Sequence, residues 1–240
     1  MIPLRDENPS GIKPVINYAL IVLCVLAFLW QLSYGRAQEA VIYAFGLIPS
    51  VLFGYDALPS DLAVVPPTVT LLTSMFMHGG WMHLIGNMLY LWIFGDNVED
   101  AMGHVKYVIF YVLCGLAAAF TQAIPDPHST IPMVGASGAI SGVLGAYLLL
   151  YPHARVLVLV PLGFFSRVMH LPASLVLGLW FALQFLSNIL SSKAGGGVAF
   201  RAHIGGFIAG MLLVAVFKRR EFRLFNPLRR EARSTNWPRR

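Results

Sequence analysis

Residues 135–152 read GASGAISGVLGAYLLLYP, and the reading of this stretch decides the fold. It is apolar, carries glycine or serine at helical spacing and closes at Pro152, so it reads as a short helix for apolar surroundings. From Ser137 to Pro152 it offers about 15 residues, roughly 22 Å at 1.5 Å per residue. A bilayer's hydrocarbon core is about 30 Å thick. A helix leaving at the cytoplasmic surface therefore stops on the order of 8 Å below the opposite one, with Ser137 at that sunken end.

The rest of the chain fits a membrane setting. Its 240 residues are 57% hydrophobic and only 12% charged, whereas soluble domains average roughly 45–50% apolar and about 25% charged. An ordinary soluble domain, a collagen, a disulfide scaffold and a disordered chain are all excluded. Six apolar stretches span 15–34, 83–95, 105–124, 137–152, 171–190 and 202–217. Helices are the expected form, because lipid offers no partner for exposed backbone groups. The first stretch is too long, and lacks the small-residue cleavage pattern, for a cleavable signal peptide. Breaks fall at Pro66-Pro67, Asp96 to Lys106, Pro125-Asp126-Pro127 and Gly195-Gly196-Gly197. No repeat supports an inverted-repeat transporter. The expectation is an all-α polytopic membrane protein with six transmembrane helices: a short segment 1–14, a membrane domain 15–217 and a basic tail 218–240.

Charge sets the orientation. The formal +6 is a tail of +7, nine Lys/Arg against two Glu, on a body of −1. With both termini cytoplasmic, fourteen Lys/Arg lie inside (Arg5, Lys13, Lys106, Arg155, Arg167 and the tail) and three outside (Arg36, Lys193, Arg201). The tail then lies near anionic lipid; a nucleic-acid arm is the competing reading. Cys24 and Cys114 both sit in apolar runs, which argues against a disulfide framework.

His203 to Lys218 is 15 residues and His83 to Asp96 is 13, so Ser137, His203 and His83 are all expected at one depth on one side. Polar groups inside a membrane are functional suspects. A serine at a helix start, beside glycines that admit substrate, suits a nucleophile. It needs a base within hydrogen-bond reach, and His203 is the candidate. Gly206 and Gly210 form a small-xxx-small stripe, as do Gly138 and Gly142, and facing stripes would pack the two helices closely. No carboxylate lies in the spans of Ser137 and His203, so a Ser-His dyad is the economical reading. Taken singly, Ser137 reads as a cap and His203 as a helix contact. His83 and Asn87, four apart on one helix face, can aim donors at a single oxyanion. A metal site using His78 and His83 is the rival, without HExxH or paired Cys/His spacing to support it. Asp96 has no second membrane-embedded Asp with which to form an aspartyl-protease dyad.

Together these residues resemble the rhomboid family of intramembrane serine proteases. The resemblance rests on His78-x4-His83-x3-Asn87, Gly135-Ala136-Ser137-Gly138 and Ala202-His203-x-x-Gly206-x-x-x-Gly210, and covers about 75–217, with Glu99-x-x-x-Gly103 at its usual place. It implies a six-helix core that cleaves other membrane proteins within or beside their transmembrane helices, without metal or cofactor. By it Ser137 is the nucleophile and His203 the general base, and His83 and Asn87 bind the oxyanion. Two departures stand out. Ser141 occupies a position that is often aromatic and packs on the histidine, and Val69-Thr70 replaces a frequent Trp-Arg pair. The loop from about 35 to 74 resembles the family's interface-lying first loop, and Gly195–Gly197 suits a lid.

The partners so implied are transmembrane protein substrates and the lipid bilayer, with no nucleic acid; no residue pattern specifies an oligomeric state. The expected location is a multi-pass integral protein of a bacterial cytoplasmic (inner) membrane, its site opening to the outer side. Two other classes stay open: a proteolytically inactive relative that binds membrane clients, and a small transporter using the same polar groups as a solute path.

Overall fold

The computed structural model describes residues 1–162, 165–190 and 199–225. In chain order it contains β1 (Ile2–Asp6), α1 (Val15–Ser33), three short helices α2 (Gln38–Phe45), α3 (Pro49–Leu52) and α4 (Thr70–Thr73), then α5 (Trp81–Met102), α6 (His104–Ala123) and α7 (Ser137–Leu150). There follow β2 (Arg155–Leu162), β3 (Phe165–Pro172), α8 (Ala173–Leu190) and α9 (Phe200–Phe217). Among the described residues four helices, α1, α6, α8 and α9, are long and apolar enough to cross a membrane.

The protein is mostly helical, but the all-α expectation is corrected by an antiparallel sheet in the order β1-β2-β3. Asp6 stands opposite Val156, and Val156 opposite Leu171. The period-2 signal was there to read: Val156 and Val158 point to the same face, and both are fully buried. At eight residues, β2 is a strand-sized apolar run. The sheet sits where α7 ends and α1 and α8 begin, and Tyr147 of α7 donates its hydroxyl proton to Asp6 Oδ2 at 2.5 Å. Asn8 reaches Asn97 of α5 from the same segment.

A second correction concerns α5. Asp96 does not end it; the helix runs 22 residues to Met102 and turns into α6 at Gly103, whose φ of +80° favours glycine. Its polar last turns are satisfied by neighbours rather than by water. Glu99, fully buried, accepts the N–H groups of Ile16 (3.1 Å) and Asn17 (2.7 Å) in the first turn of α1 and contacts His104 Nδ1 at 2.5 Å. A carboxylate there satisfies otherwise orphaned donors and complements the helix dipole. Asn17 donates to the Leu91 carbonyl at 3.0 Å and accepts from the Tyr107 hydroxyl at 2.9 Å, tying α1, α5 and α6 together. Asp100 accepts from Gly11 N–H (2.6 Å) and from Arg219 (3.1 Å), so the chain after α9 docks on the end of α5.

The third difference is in length. α9 starts at Phe200 and has 18 residues, so among the three spans read as short only α7, at 14, is short. What brings α7 and α9 together is glycine. A Cβ on Gly206 would lie 2.0 Å from the Gly138 carbonyl oxygen, and one on Gly210 would lie 1.9 Å from that of Gly142. Gly142 in turn faces Cys114 of α6, whose sulfur a Cβ added there would approach to 2.4 Å. Backbone touches backbone along this seam. The loop between α1 and α5 is pinned by the Leu47–Met133 bridge. Gly195–Gly197, Lys193 and the tail from residue 226 lie outside the described residues.

Two predictions follow from this packing. Gly210→Ala should lower stability in detergent by about 1–3 kcal/mol, since its methyl overlaps backbone that cannot swing away. Gly178→Ala, whose added methyl meets no described atom within 4 Å, should be neutral or slightly stabilising. Thermal unfolding of the two variants tests the seam, and equal midpoints would refute it. Asp6 is the second case. Burial, with a further push from the Asp96 charge and against the pull of the Tyr147 hydrogen bond, raises its pKa from 3.8 to about 7. The folded protein therefore binds more protons than the unfolded chain between those values, and this contribution to stability is lost as pH rises through about 7. Asp6→Asn should gain on the wild type between about pH 4 and about pH 8. Parallel melting curves at both pH values would contradict it.

Candidate active site

Three helices begin at one place. Ser137 is the first residue of α7, His203 the fourth of α9 and His83 the third of α5. First-turn N–H groups lack partners within their own helix, and three helix N-termini bias this spot toward negative charge. The seam of Gly138, Gly142, Gly206 and Gly210 fixes the distance between α7 and α9, and Ser137 Oγ lies 2.7 Å from His203 Nε2. No side-chain cap bond forms at the start of α7, so Ser137 is not a cap there. His203 is 8% exposed, and Ser137 is half-buried at the edge of a small cavity. That cavity, about 40 Å³, is walled in part by Ser74, Met75, Ala118 and Met133.

Gly135 brings in the next pair. Its φ is +123°, a conformation side chains rarely adopt, and its N–H donates to the Ser74 carbonyl at 2.8 Å. A Cβ there would lie 2.7 Å from His83 Nε2 and 3.6 Å from Asn87 Nδ2. Both side chains therefore meet the backbone two residues ahead of Ser137. Gly79 N–H donates to His83 Nδ1 at 3.3 Å. A nitrogen that accepts carries no proton, so the neutral ring bears its proton on Nε2, the atom turned toward Gly135. Asn87 Nδ2 is buried with no hydrogen-bond partner among the described residues, an unsatisfied donor of the kind that normally has a reason. His78, whose ring meets His83 edge-on at 5.2 Å, is held by Gln31 of α1, which donates to its carbonyl (2.7 Å) and accepts from its N–H (3.3 Å).

Several participants escaped the sequence reading. The Nδ1 of His203 meets Gln184 Oε1 of α8 at 2.9 Å, so the ring has a second hydrogen-bond partner besides Ser137, and that partner is an amide rather than a carboxylate. Trp180, one turn earlier on α8, lies 5.9 Å from the His203 ring and supplies an aromatic neighbour that Ser141 does not. Ser141 instead donates to the Ser137 carbonyl at 2.6 Å. Gln122 of α6 accepts from Ala202 N–H at 3.3 Å and anchors the start of α9. For Gln184 and Gln122 the signal was a neutral amide inside an apolar run, which is costly in lipid unless paired.

Comparison with known proteins agrees with the architecture. A family profile described as the Rhomboid domain matches residues 67–220. The chain is 31% identical to Rhomboid protease GluP of Bacillus subtilis over 85% of its own length and 35% of that protein's. It is 32% identical to the mitochondrial Rhomboid protein 1 of Saccharomyces cerevisiae, over 91% of this chain and 70% of that one. It is also 33% identical to Inactive rhomboid protein 1 of Drosophila melanogaster, over 52% of this chain and 8% of the other. The chain thus spans about a third of the first relative and most of the second. With the match running from before α4 to beyond α9, and with helices long and apolar enough to cross a bilayer, this integral membrane protein belongs to the rhomboid family.

Proposed function

We propose that the chain is an intramembrane serine endopeptidase that cleaves the transmembrane segments of membrane-protein substrates through a Ser137–His203 dyad and an acyl-enzyme. The observation that carries this reading is the 2.7 Å contact between Ser137 Oγ and His203 Nε2 where three helix N-termini meet. Family membership supports the general activity. An inactive relative exists, and against inactivity here stands the intact pairing of hydroxyl and imidazole.

The chemistry runs in two stages. Oγ attacks the scissile carbonyl carbon as its proton passes to His203 Nε2, and the carbonyl π electrons move to oxygen. His83 Nε2–H and Asn87 Nδ2–H donate to that oxyanion, and the first-turn N–H groups of α7 add to the stabilisation. On collapse the C–N bond breaks and the leaving nitrogen takes the proton from Nε2. Water then attacks the acyl ester by the same route, releasing the acid and restoring Ser137. A substrate helix keeps its carbonyls hydrogen-bonded, so it must unwind locally before attack. Small or helix-breaking residues favour cleavage for that reason, and the cavity beside Ser137 suits a small side chain.

The membrane arrangement belongs to the same proposal. Six helices cross, α1 and α5 through α9, within a membrane domain of residues 15–217. Both termini are cytoplasmic, since that orientation puts fourteen Lys/Arg inside against three outside. The site opens to the outer side of a bacterial cytoplasmic membrane.

Ser137→Ala should abolish cleavage of a reporter transmembrane substrate and labelling by a fluorophosphonate, with insertion and folding unchanged; full residual cleavage would end the assignment. Asn87→Ala should retain labelling at a rate lowered on the order of 100–1000-fold, the cost of one oxyanion donor. An unchanged rate would remove Asn87 from the oxyanion site.

A further inference from the structure

The stretch Ala173–Leu190 buries Ala173, Val176 and Leu177, a stripe at helical spacing that continues through Trp180 and Phe181 to Gln184. Phe181 stacks on Phe207 of α9 at 4.5 Å, so this face of α8 lies against α9. Gln184 is the first polar residue on that stripe, and its Oε1 lies 2.9 Å from His203 Nδ1. A neutral imidazole has one donor nitrogen and one acceptor. Ser137 Oγ can lose its proton to Nε2 only if Nε2 is the acceptor, so Nδ1 must carry the hydrogen and donate it to a partner.

We infer that Gln184 is a positioning residue: its side-chain carbonyl accepts the Nδ1–H of His203 and thereby holds the ring in the one tautomer and rotation that present a bare Nε2 to Ser137. The inference rests on the dyad reading given above and adds to it the group that prepares the base. A carboxylate would serve the same geometry, but burying its charge in a membrane span is costly unless it is fully paired. An amide carbonyl fixes the tautomer without that cost, and its negative dipole end still faces the imidazolium formed during attack. Trp180 closes another side of the ring at 5.9 Å. Together they do from α8 what a residue on α7 at position 141 does not, since Ser141 is turned to the Ser137 carbonyl.

The test compares Gln184→Met, which keeps the length and loses the acceptor, with Gln184→Glu, which keeps an acceptor oxygen. All are full-length proteins in detergent micelles, beside Ser137→Ala and His203→Ala. Nitrogen-15 NMR of labelled histidine reads the His203 tautomer directly, the signal being assigned by its loss in His203→Ala. The wild type and Gln184→Glu should show the proton on Nδ1, and Gln184→Met a shift toward Nε2–H. With a reporter substrate, Gln184→Met should lose about tenfold in kcat with KM unchanged, the scale of one neutral hydrogen bond. The fluorophosphonate labelling rate should fall in parallel, and Gln184→Glu should restore most of both. A wild-type tautomer and wild-type kcat in Gln184→Met would overturn the inference. So would equal losses in both variants traceable to a smaller folded fraction, with normal kcat per labelled site. Should His203→Ala still react with fluorophosphonate, it is the dyad that fails, and the tautomer signal separately decides whether Gln184 orients the ring.

Discussion

Gly206 and Gly210 of α9 lie so close to Gly138 and Gly142 of α7 that a methyl group on either α9 glycine would overlap a carbonyl oxygen of α7. Everything at the site depends on that seam. In lipid no hydrophobic force drives one apolar helix onto another, so dispersion across a close backbone contact has to do it. The seam starts one residue beyond Ser137 and three beyond His203, which leaves the two side chains facing each other across the mouth of the contact. A wider seam would put the hydroxyl out of the imidazole's reach, whatever the residues at the two positions.

The second constraint is polarity without charge. Gln31, Gln122 and Gln184 each come from a span, and each makes a hydrogen bond that sets one part of the site: the loop before α5, the start of α9 and the His203 ring. Neutral amides satisfy buried polar atoms at far lower desolvation cost than carboxylates. The carboxylates that are buried lie at the other end of the bundle. There Glu99 and Asp100 hold the first turn of α1 and the chain after α9, each matched by N–H groups or by Arg219. The two ends divide the work: ionic contacts close the bundle at the sheet end, and uncharged ones shape the site.

Most of the helices could be read in the residues, because lipid permits few alternatives and apolar runs bounded by Pro and Gly mark their limits. Ser137, His203, His83 and Asn87 stood out because a polar group in such a run needs a reason. Where the structure departs from the local pattern, the cause is a distant partner. In sequence Asp96 reads as the end of a span because polar residues imply water, whereas the last turns of α5 meet partners from residues 8–17 and from Arg219. The alternating valines of β2 do not by themselves declare a strand, because a strand needs partners, and those come from β1, about 150 residues away in the chain, and from β3.

The sequence by itself determined the solvent this protein is built for, the glycine spacing that lets two helices touch, and the side chains able to carry acyl-transfer chemistry. Each of these is a property of residue type and local period. Only the tertiary structure decided that His203 meets both Ser137 and Gln184, that Gly135 lies against His83 and Asn87, and that Gln31 holds His78. Those pairings depend on how far each helix is turned about its axis. That rotation is set by packing along the whole length of neighbouring helices, and no local pattern of residues records it.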